Sequence, residues 1–330
     1  MLRTHNSLSW YRADIEKNPT HFFRDLSDNE KAVIADYLGK LDRTKSYSST
    51  DTDEIDATLA VLKPLYDEIV HALVHERGFI ILQGLPTAKD DYTHQQVKKF
   101  FLEFSKCLGK PLIQNKNQDL IFDVKSIEGL TMSQANSRGP YVKESLPMHT
   151  DAGAILGMYC YAAADIGGDS LLASARVVHD EIKKMRSDLL ETLYQPYYVD
   201  RRNNEPVGAL TYDISPVFAM YGDDLMCQYH QPFYTDAHTK CPELPPMTEQ
   251  QKEALALFDK ISLRDDIVFK TKLSEGCIIF INNEKILHGR ATFDYPQNQS
   301  ARHLMRIWLV TKAIQNTFPS FLGYPLPSVL

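Results

Sequence analysis

Leu146-Pro147-Met148-His149-Thr150-Asp151-Ala152-Gly153-Ala154-Ile155 is the stretch on which the fold turns. It reads as extended chain. Side chains at i and i+2 of a strand leave on one face, so His149 and Asp151 can meet a single metal ion. The motif alone is weak, because 11 His and 43 acidic residues in 330 supply between one and two His-x-acid triplets by chance. The second triplet, His179-Asp180-Glu181, is a control. It lies in Val177–Met185, whose apolar spacing suits a helix, and there i and i+2 point apart. Geometry selects His149 and Asp151.

Working outward, the N-terminal part is helical. Ser27-Asp28-Asn29-Glu30 is a capping box before Lys31–Leu41, and the polar stretch Thr44–Asp53 reads as a loop. Glu54–Arg77 carries Ile55, Leu59, Leu62, Leu65, Ile69 and Leu73 at helical spacing and stops at Gly78. The buried strand Phe79–Leu82 follows, then a helix over about Thr93–Leu108. Beyond it come short runs rich in β-branched and aromatic residues: Leu120–Val124, Ile155–Ala162, Tyr197–Asp200, Val217–Tyr221, Ile267–Leu273, Cys277–Ile281 and His303–Val310. One more helix spans roughly Thr248–Ile261. Helices first and many short strands afterwards predict a mainly β fold with flanking helices, its core a double-stranded β-helix (jelly roll, cupin-like). Without a repeat or linker, the expectation is one domain over 1–330, with a helical layer to about 110 and the jelly-roll core over about 111–315.

A 43% hydrophobic content supports a sizeable core. The net charge of −7, with no long basic run, argues against nucleic acid or an acidic membrane as partner. Cys107, Cys160, Cys227, Cys241 and Cys277 are odd in number and lack a C-x-x-C spacing, so free thiols are expected rather than disulfides or a zinc knuckle. No apolar segment follows the N-terminus, and no run reaches the ~20 residues of a spanning helix. The expectation is a cytoplasmic protein with a small-molecule substrate; a homo-oligomer stays open.

Two later stretches lift the opening motif. In Cys277-Ile278-Ile279-Phe280-Ile281-Asn282-Asn283-Glu284-Lys285-Ile286-Leu287-His288-Gly289-Arg290, a buried strand leads to His288. That residue could complete a two-His, one-carboxylate face on Fe(II) with three positions left open; a His beside Gly is otherwise often structural. In Ala301-Arg302-His303-Leu304-Met305-Arg306, a strand puts Arg302 and Arg306 on one face. Buried guanidiniums need anions, either a ligand carboxylate held by two hydrogen bonds or internal Asp and Glu. The polar segment Thr131–Pro140 reads equally as a lid or as a surface loop. Gln134 and Asn136 within it are candidate substrate contacts, as is Cys227–Gln231.

His149-Thr150-Asp151, Gly167-Gly168-Asp169-Ser170, Asn283 to Leu287-His288-Gly289-Arg290, and Arg302 to Arg306 together resemble the TauD/TfdA family, the taurine-dioxygenase-like Fe(II)/2-oxoglutarate oxygenases, in the branch with clavaminate synthase-like enzymes. The resemblance spans roughly residues 75–312. It implies that His149, Asp151 and His288 bind Fe(II), with 2-oxoglutarate and O2 as co-substrates. Arg302 would pair with the distal carboxylate of 2-oxoglutarate and Ser170 would add a hydroxyl, although many relatives carry Thr there. Arg306 would serve an acidic group of the substrate, or the two arginines would exchange roles. The implied reaction oxidises a C–H bond of a small carboxylate-bearing compound, a free amino acid or derivative, releasing succinate and CO2. Hydroxylation is the default; desaturation or cyclisation needs only a differently placed carbon. Competing readings are a jelly-roll metalloenzyme without 2-oxoglutarate, a non-catalytic binding protein, and a modifier of macromolecules.

Overall fold

Strand alternation sets the architecture. In Cys277–Asn282 every side chain is buried, because Ile279 and Ile281 enter one apolar cluster while Ile278 and Phe280 enter another. Phe79–Gln83 repeats the pattern, with Phe79 and Ile81 on one side and Ile80 and Leu82 on the other. A strand apolar on both faces belongs in the middle of a layered structure, and these two pair antiparallel there. The computed structural model describes residues 8–47, 56–131, 139–202, 208–294 and 302–314.

The major sheet has seven strands. Its order is Phe23–Asp25, Phe79–Gln83, Cys277–Asn282, Ile155–Ala162, His303–Val310 and Lys110–Pro111, with Ile121–Lys125 also paired to His303–Val310. Only the pair Phe23–Asp25 and Phe79–Gln83 is parallel. A four-stranded antiparallel sheet, ordered Phe269–Thr271, Ser170–Ser174, Ile286–Arg290 and Leu146–His149, faces it. Leu156, Ile279, Ile281, Leu304 and Trp308 from the large sheet meet Met148, Leu172 and Leu287 from the small one in one core. This is the expected mainly β jelly roll with flanking helices.

On the outer face of the major sheet lie helices Asp28–Lys40, Lys63–His75 and His94–Lys106, packed on Ile80, Leu82, Tyr159, Ile278 and Phe280. The Ser27–Glu30 capping box forms as read, and Thr93 with Gln96 makes another. The expected helix over 54–77 splits into Ala57–Ala60 and Lys63–His75. Pro64 explains the break: lacking an N–H, it fits only the first turn of a new helix. Two strands of the major sheet come from the first 110 residues, so helices and sheet are interleaved in sequence.

Helices Ala175–Met185, Ser187–Leu193 and Glu249–Ser262 pack together beside the small sheet. The hairpins Tyr197–Asp200 with Tyr212–Ser215 and Phe218–Tyr221 with Asp224–Cys227, followed by helix Gln231–Lys240, close one side of the barrel. No helix among the described residues is long and apolar enough to cross a membrane. All five cysteines are free thiols.

Candidate active site

His149 ends the strand Leu146–His149, and His288 lies directly opposite it on Ile286–Arg290. Their ring centroids are 4.2 Å apart. Asp151 sits two residues past the strand end, and its Oδ2 is 3.6 Å from His288 Nε2. Thr150 between them points away: its hydroxyl accepts from the Tyr229 N–H at 2.9 Å, and its own N–H donates to the Tyr229 carbonyl at 2.8 Å. The side chain of Asn283 holds the turn. It accepts from the Asp151 N–H at 2.9 Å and donates to the carbonyls of Asp151 and of Gly153. Gly153 must be glycine, since its φ is +80° and a Cβ would lie 2.9 Å from the Leu309 carbonyl oxygen.

These three residues are one of two groups among the described residues that bring three ligand atoms within 4.8 Å of one another. His149 donates Nδ1–H to the Pro147 carbonyl at 2.8 Å, which leaves the Nε2 lone pair for a metal. Burial, reinforced by His288, pushes the His149 pKa down to about 4, so the ring is neutral as a ligand must be. Burial alone would push the Asp151 carboxyl up. Arg306 and the two imidazoles more than offset it and hold Asp151 well below the usual range. Two imidazoles and one carboxylate fit Fe(II). The decoy triplet does not form a site: His179 is in the helix Ala175–Met185, bonded to Asp180 at 2.7 Å and Tyr194 at 3.0 Å.

The metal face opens into a cavity of about 290 Å³. Leu304, Arg306 and Trp308 line it together with Arg302, as strand alternation required. The two arginines differ in their surroundings. Arg306, expected to be free for the substrate, has Nη1 3.1 Å from Asp151 Oδ2 and donates Nε to Gln114 at 2.9 Å. Arg306 thus stands beside an internal acid while also lining the cavity. Arg302 is 6% exposed and, among the described residues, no carboxylate lies within ion-pair distance. Burial pushes its pKa down to about 10, and the Phe293 ring lies 5.1 Å from its guanidinium. Gly168 makes room for it: a Cβ there would stand 3.3 Å from Arg302 Nε and 3.2 Å from Phe293 Cβ. Ser170, opposite Arg290 in the small sheet, lines the same cavity. Arg290 is a second buried guanidinium, tied to the carbonyls of Val142 and Glu144.

A model of the family described as "Taurine catabolism dioxygenase TauD, TfdA family" matches residues 22–308. The chain belongs to that family. It is an enzyme, a dioxygenase of the oxidoreductase class. Among curated relatives, the FR-33289 synthase of Streptomyces rubellomurinus is 25% identical over 304 residues, covering 91% of this chain and 88% of that protein. The taurine hydroxylase-like protein SAT17 of Stachybotrys chartarum is 28% identical over 316 residues, covering 86% and 79%. The fold is shared with the non-heme iron oxygenase OrfP in complex with Fe and alpha-ketoglutaric acid, at a TM-score of 0.64, 15% identity and coverage of 87% and 93%. An asparagine oxygenase in complex with Fe(II), a 3-hydroxyasparagine and succinate superposes with a TM-score of 0.63 at 16% identity, covering 87% and 93%.

In this TauD, TfdA family member, sequence reasoning missed several cavity residues. Gln114, Arg202, Phe233 and Lys240 line it, all brought from distant segments. Of the stretch Cys227–Gln231, only His230 reaches it. Its ring lies 4.9 Å from that of His149 and is stacked on Phe233 at 3.8 Å, with Arg202 over the far face of Phe233 at 4.4 Å. Gln134 and Asn136 lie outside the described residues, while Gly139 and Pro140, from the end of their segment, border the cavity.

Proposed function

We propose that this chain is an Fe(II)- and 2-oxoglutarate-dependent dioxygenase that hydroxylates a small carboxylate-bearing compound, with a free amino acid or derivative as substrate and succinate and CO2 as co-products. His149, Asp151 and His288 would hold the iron. The observation that carries the reading is Arg302, a buried guanidinium without an acid of its own among the described residues, lining the cavity into which the metal face opens. An unpaired buried charge costs several kcal/mol, and a ligand carboxylate held at two points removes that cost. Ser170 adds a hydroxyl donor on the same wall. The chemistry that iron would supply, held there by His149, Asp151 and His288, is the activation of O2 with electrons from the decarboxylation of 2-oxoglutarate.

The protein's own part is positional. The Asn283 clamp fixes Asp151, and the Nδ1–H bond to Pro147 fixes the His149 tautomer. Leu156, Leu172, Ile281 and Leu304 keep water from the oxidised carbon. Among the described residues, five cationic side chains and one carboxylate line the cavity (Arg202, Lys240, Arg290, Arg302 and Arg306 against Asp151), which favours a substrate bearing negative charge. Arg306 is assigned to the substrate carboxylate, with Gln114 orienting it. A cavity at the small end of ligand pockets suits an amino acid, and the two structural relatives above carry an amino acid product or 2-oxoglutarate itself. Its free thiols support a cytoplasmic location, and the continuous sheets support one working domain.

A screen of amino acids and small acids for substrate-dependent succinate release tests this function. One compound stimulating turnover, with activity lost in Arg306→Ala, is expected. Undiminished turnover of that compound by Arg306→Ala removes the substrate assignment. Stimulation only by uncharged compounds removes the carboxylate class.

A further inference from the structure

The strand His303–Val310 carries a second constellation on its other face. Phe122 and Val124 of Ile121–Lys125 line the cavity, so Asp123 between them points outward, toward the helix His94–Lys106. His303 comes up from the neighbouring strand and His94 down from the first residue of that helix. His303 Nε2 is 2.7 Å from Asp123 Oδ1. His94 Nε2 is 3.1 Å from the same oxygen, yet it is buried and, among the described residues, lacks hydrogen-bond geometry to any group. The two rings lie 4.6 Å apart, each edge-on to Tyr161, at 5.1 and 5.3 Å. The three ligand atoms fall within 4.8 Å of one another.

The geometry points to a second metal site, built from His94, Asp123 and His303, that takes a zinc-class divalent ion. Two imidazole nitrogens and one carboxylate oxygen are the donors of zinc, copper, nickel or cobalt rather than of magnesium or calcium. At bond lengths of 2.0–2.2 Å, ligand atoms around a tetrahedral ion lie about 3.3 Å apart, so the distances from Asp123 Oδ1 to His303 Nε2 (2.7 Å) and His94 Nε2 (3.1 Å) need to open by about 0.6 and 0.2 Å. His94 and Asp123 are 27% and 32% exposed, which leaves a water-facing fourth position. Lys98, one turn along the helix from His94, holds Asp123 Oδ2 at 2.6 Å. It orients the carboxylate and leaves Oδ1 for the ion, as outer partners do. Its charge also opposes a cation, so it weakens binding. The ion would pin the helix His94–Lys106 to the strand that begins beside Arg302.

The test is zinc stoichiometry by equilibrium dialysis on the full chain and on His94→Ala, a half-buried position at the first residue of its helix, with circular dichroism checking that the variant is folded. The variant is expected to bind one equivalent fewer than its parent, however many the parent binds. Cobalt titration of the full chain carrying His149→Ala, Asp151→Ala and His288→Ala is expected to give one saturable visible band, displaced by zinc. Adding His94→Ala weakens that binding at least tenfold, and Lys98→Gln in its place tightens it. Equal stoichiometry in parent and His94→Ala overturns the site and leaves a hydrogen-bonded network in its place. Because the proposed iron face is silent in the cobalt experiment, its outcome is independent of the reading given under Proposed function.

Discussion

Replacing Arg302 with Met separates binding from stability. The side chain is buried, and its pKa falls to about 10 from the ordinary 12.5. A depressed cationic pKa means that the unfolded chain holds the proton more tightly, so the charged form is penalised by folding. The penalty is present in full at pH 7 and fades only as pH climbs from about 10 toward 12.5, as linkage requires. Its size is on the order of 3 kcal/mol. Met keeps most of the apolar contact and carries no charge, so the metal-free variant is expected to be more stable than the wild type by about 1–3 kcal/mol, as for active-site residues held at a cost. Removing one partner of a buried charge pair costs the complex about 2–5 kcal/mol, so 2-oxoglutarate affinity should fall at least thirtyfold. Denaturant unfolding without ligand and calorimetric titration of the Fe(II) protein with 2-oxoglutarate, both anaerobic, measure the two effects. A variant that is less stable and binds 2-oxoglutarate within threefold of wild type refutes the reasoning, since Arg302 would then have a structural partner.

Other perturbations follow from the same geometry. Asn283→Ala leaves the N–H of Asp151 and the carbonyls of Asp151 and Gly153 without their partner; a loss of about 1–3 kcal/mol in unfolding free energy should come with weaker Fe(II) binding in an anaerobic titration. Gly168→Ala places a methyl against Arg302 and Phe293 at a φ of +75°; strain of about 1–2 kcal/mol should appear in denaturation, and 2-oxoglutarate titration should show weaker binding. Burial raises the Glu284 carboxyl to about 8, with Asp224 contributing, and Oε1 has no partner among the described residues. The neutral acid is favoured in the fold, so its contribution is complete below pH 4.5 and is lost as pH rises toward 8. Glu284→Gln should therefore gain on wild type by a few kcal/mol between pH 5 and pH 8 in urea midpoints; a gap that does not change with pH rejects this.

Much of the fold is written locally. Ile155–Ala162, Tyr197–Asp200 and His303–Val310 take the bounds that their β-branched and aromatic runs indicate, and the Ser27–Glu30 capping box forms the first turn of the helix Asp28–Lys40. What alternation does not encode is partnership. Cys277–Asn282 pairs with Phe79–Gln83 and with Ile155–Ala162, across separations of more than a hundred residues, and any apolar strand satisfies the same local pattern. The apolar period also runs through Pro64 without registering the break in the helix.

The site divides in the same way. His149, Asp151, His288, Arg302 and Ser170 were legible because they sit in short motifs, and the structure gathers them around one cavity. Asn283 was visible in its motif, but its clamp on the Asp151 turn needs a contact across 132 positions. His230 and Phe233 enter from a helix start that carries no spacing signal. Arg306 illustrates the limit of facing arguments: alternation aims it inward but does not reveal that Asp151 waits there.

The central claim is that His149, Asp151 and His288 bind iron while Arg302 presents 2-oxoglutarate to it. Anaerobic titration of the Fe(II) protein with 2-oxoglutarate, followed by visible absorption, tests both halves together. The account predicts a charge-transfer band that saturates at one 2-oxoglutarate per iron, vanishes in His149→Ala and requires far more 2-oxoglutarate in Arg302→Met. Absence of the band in the iron-loaded wild type, or a band indifferent to both substitutions, contradicts it.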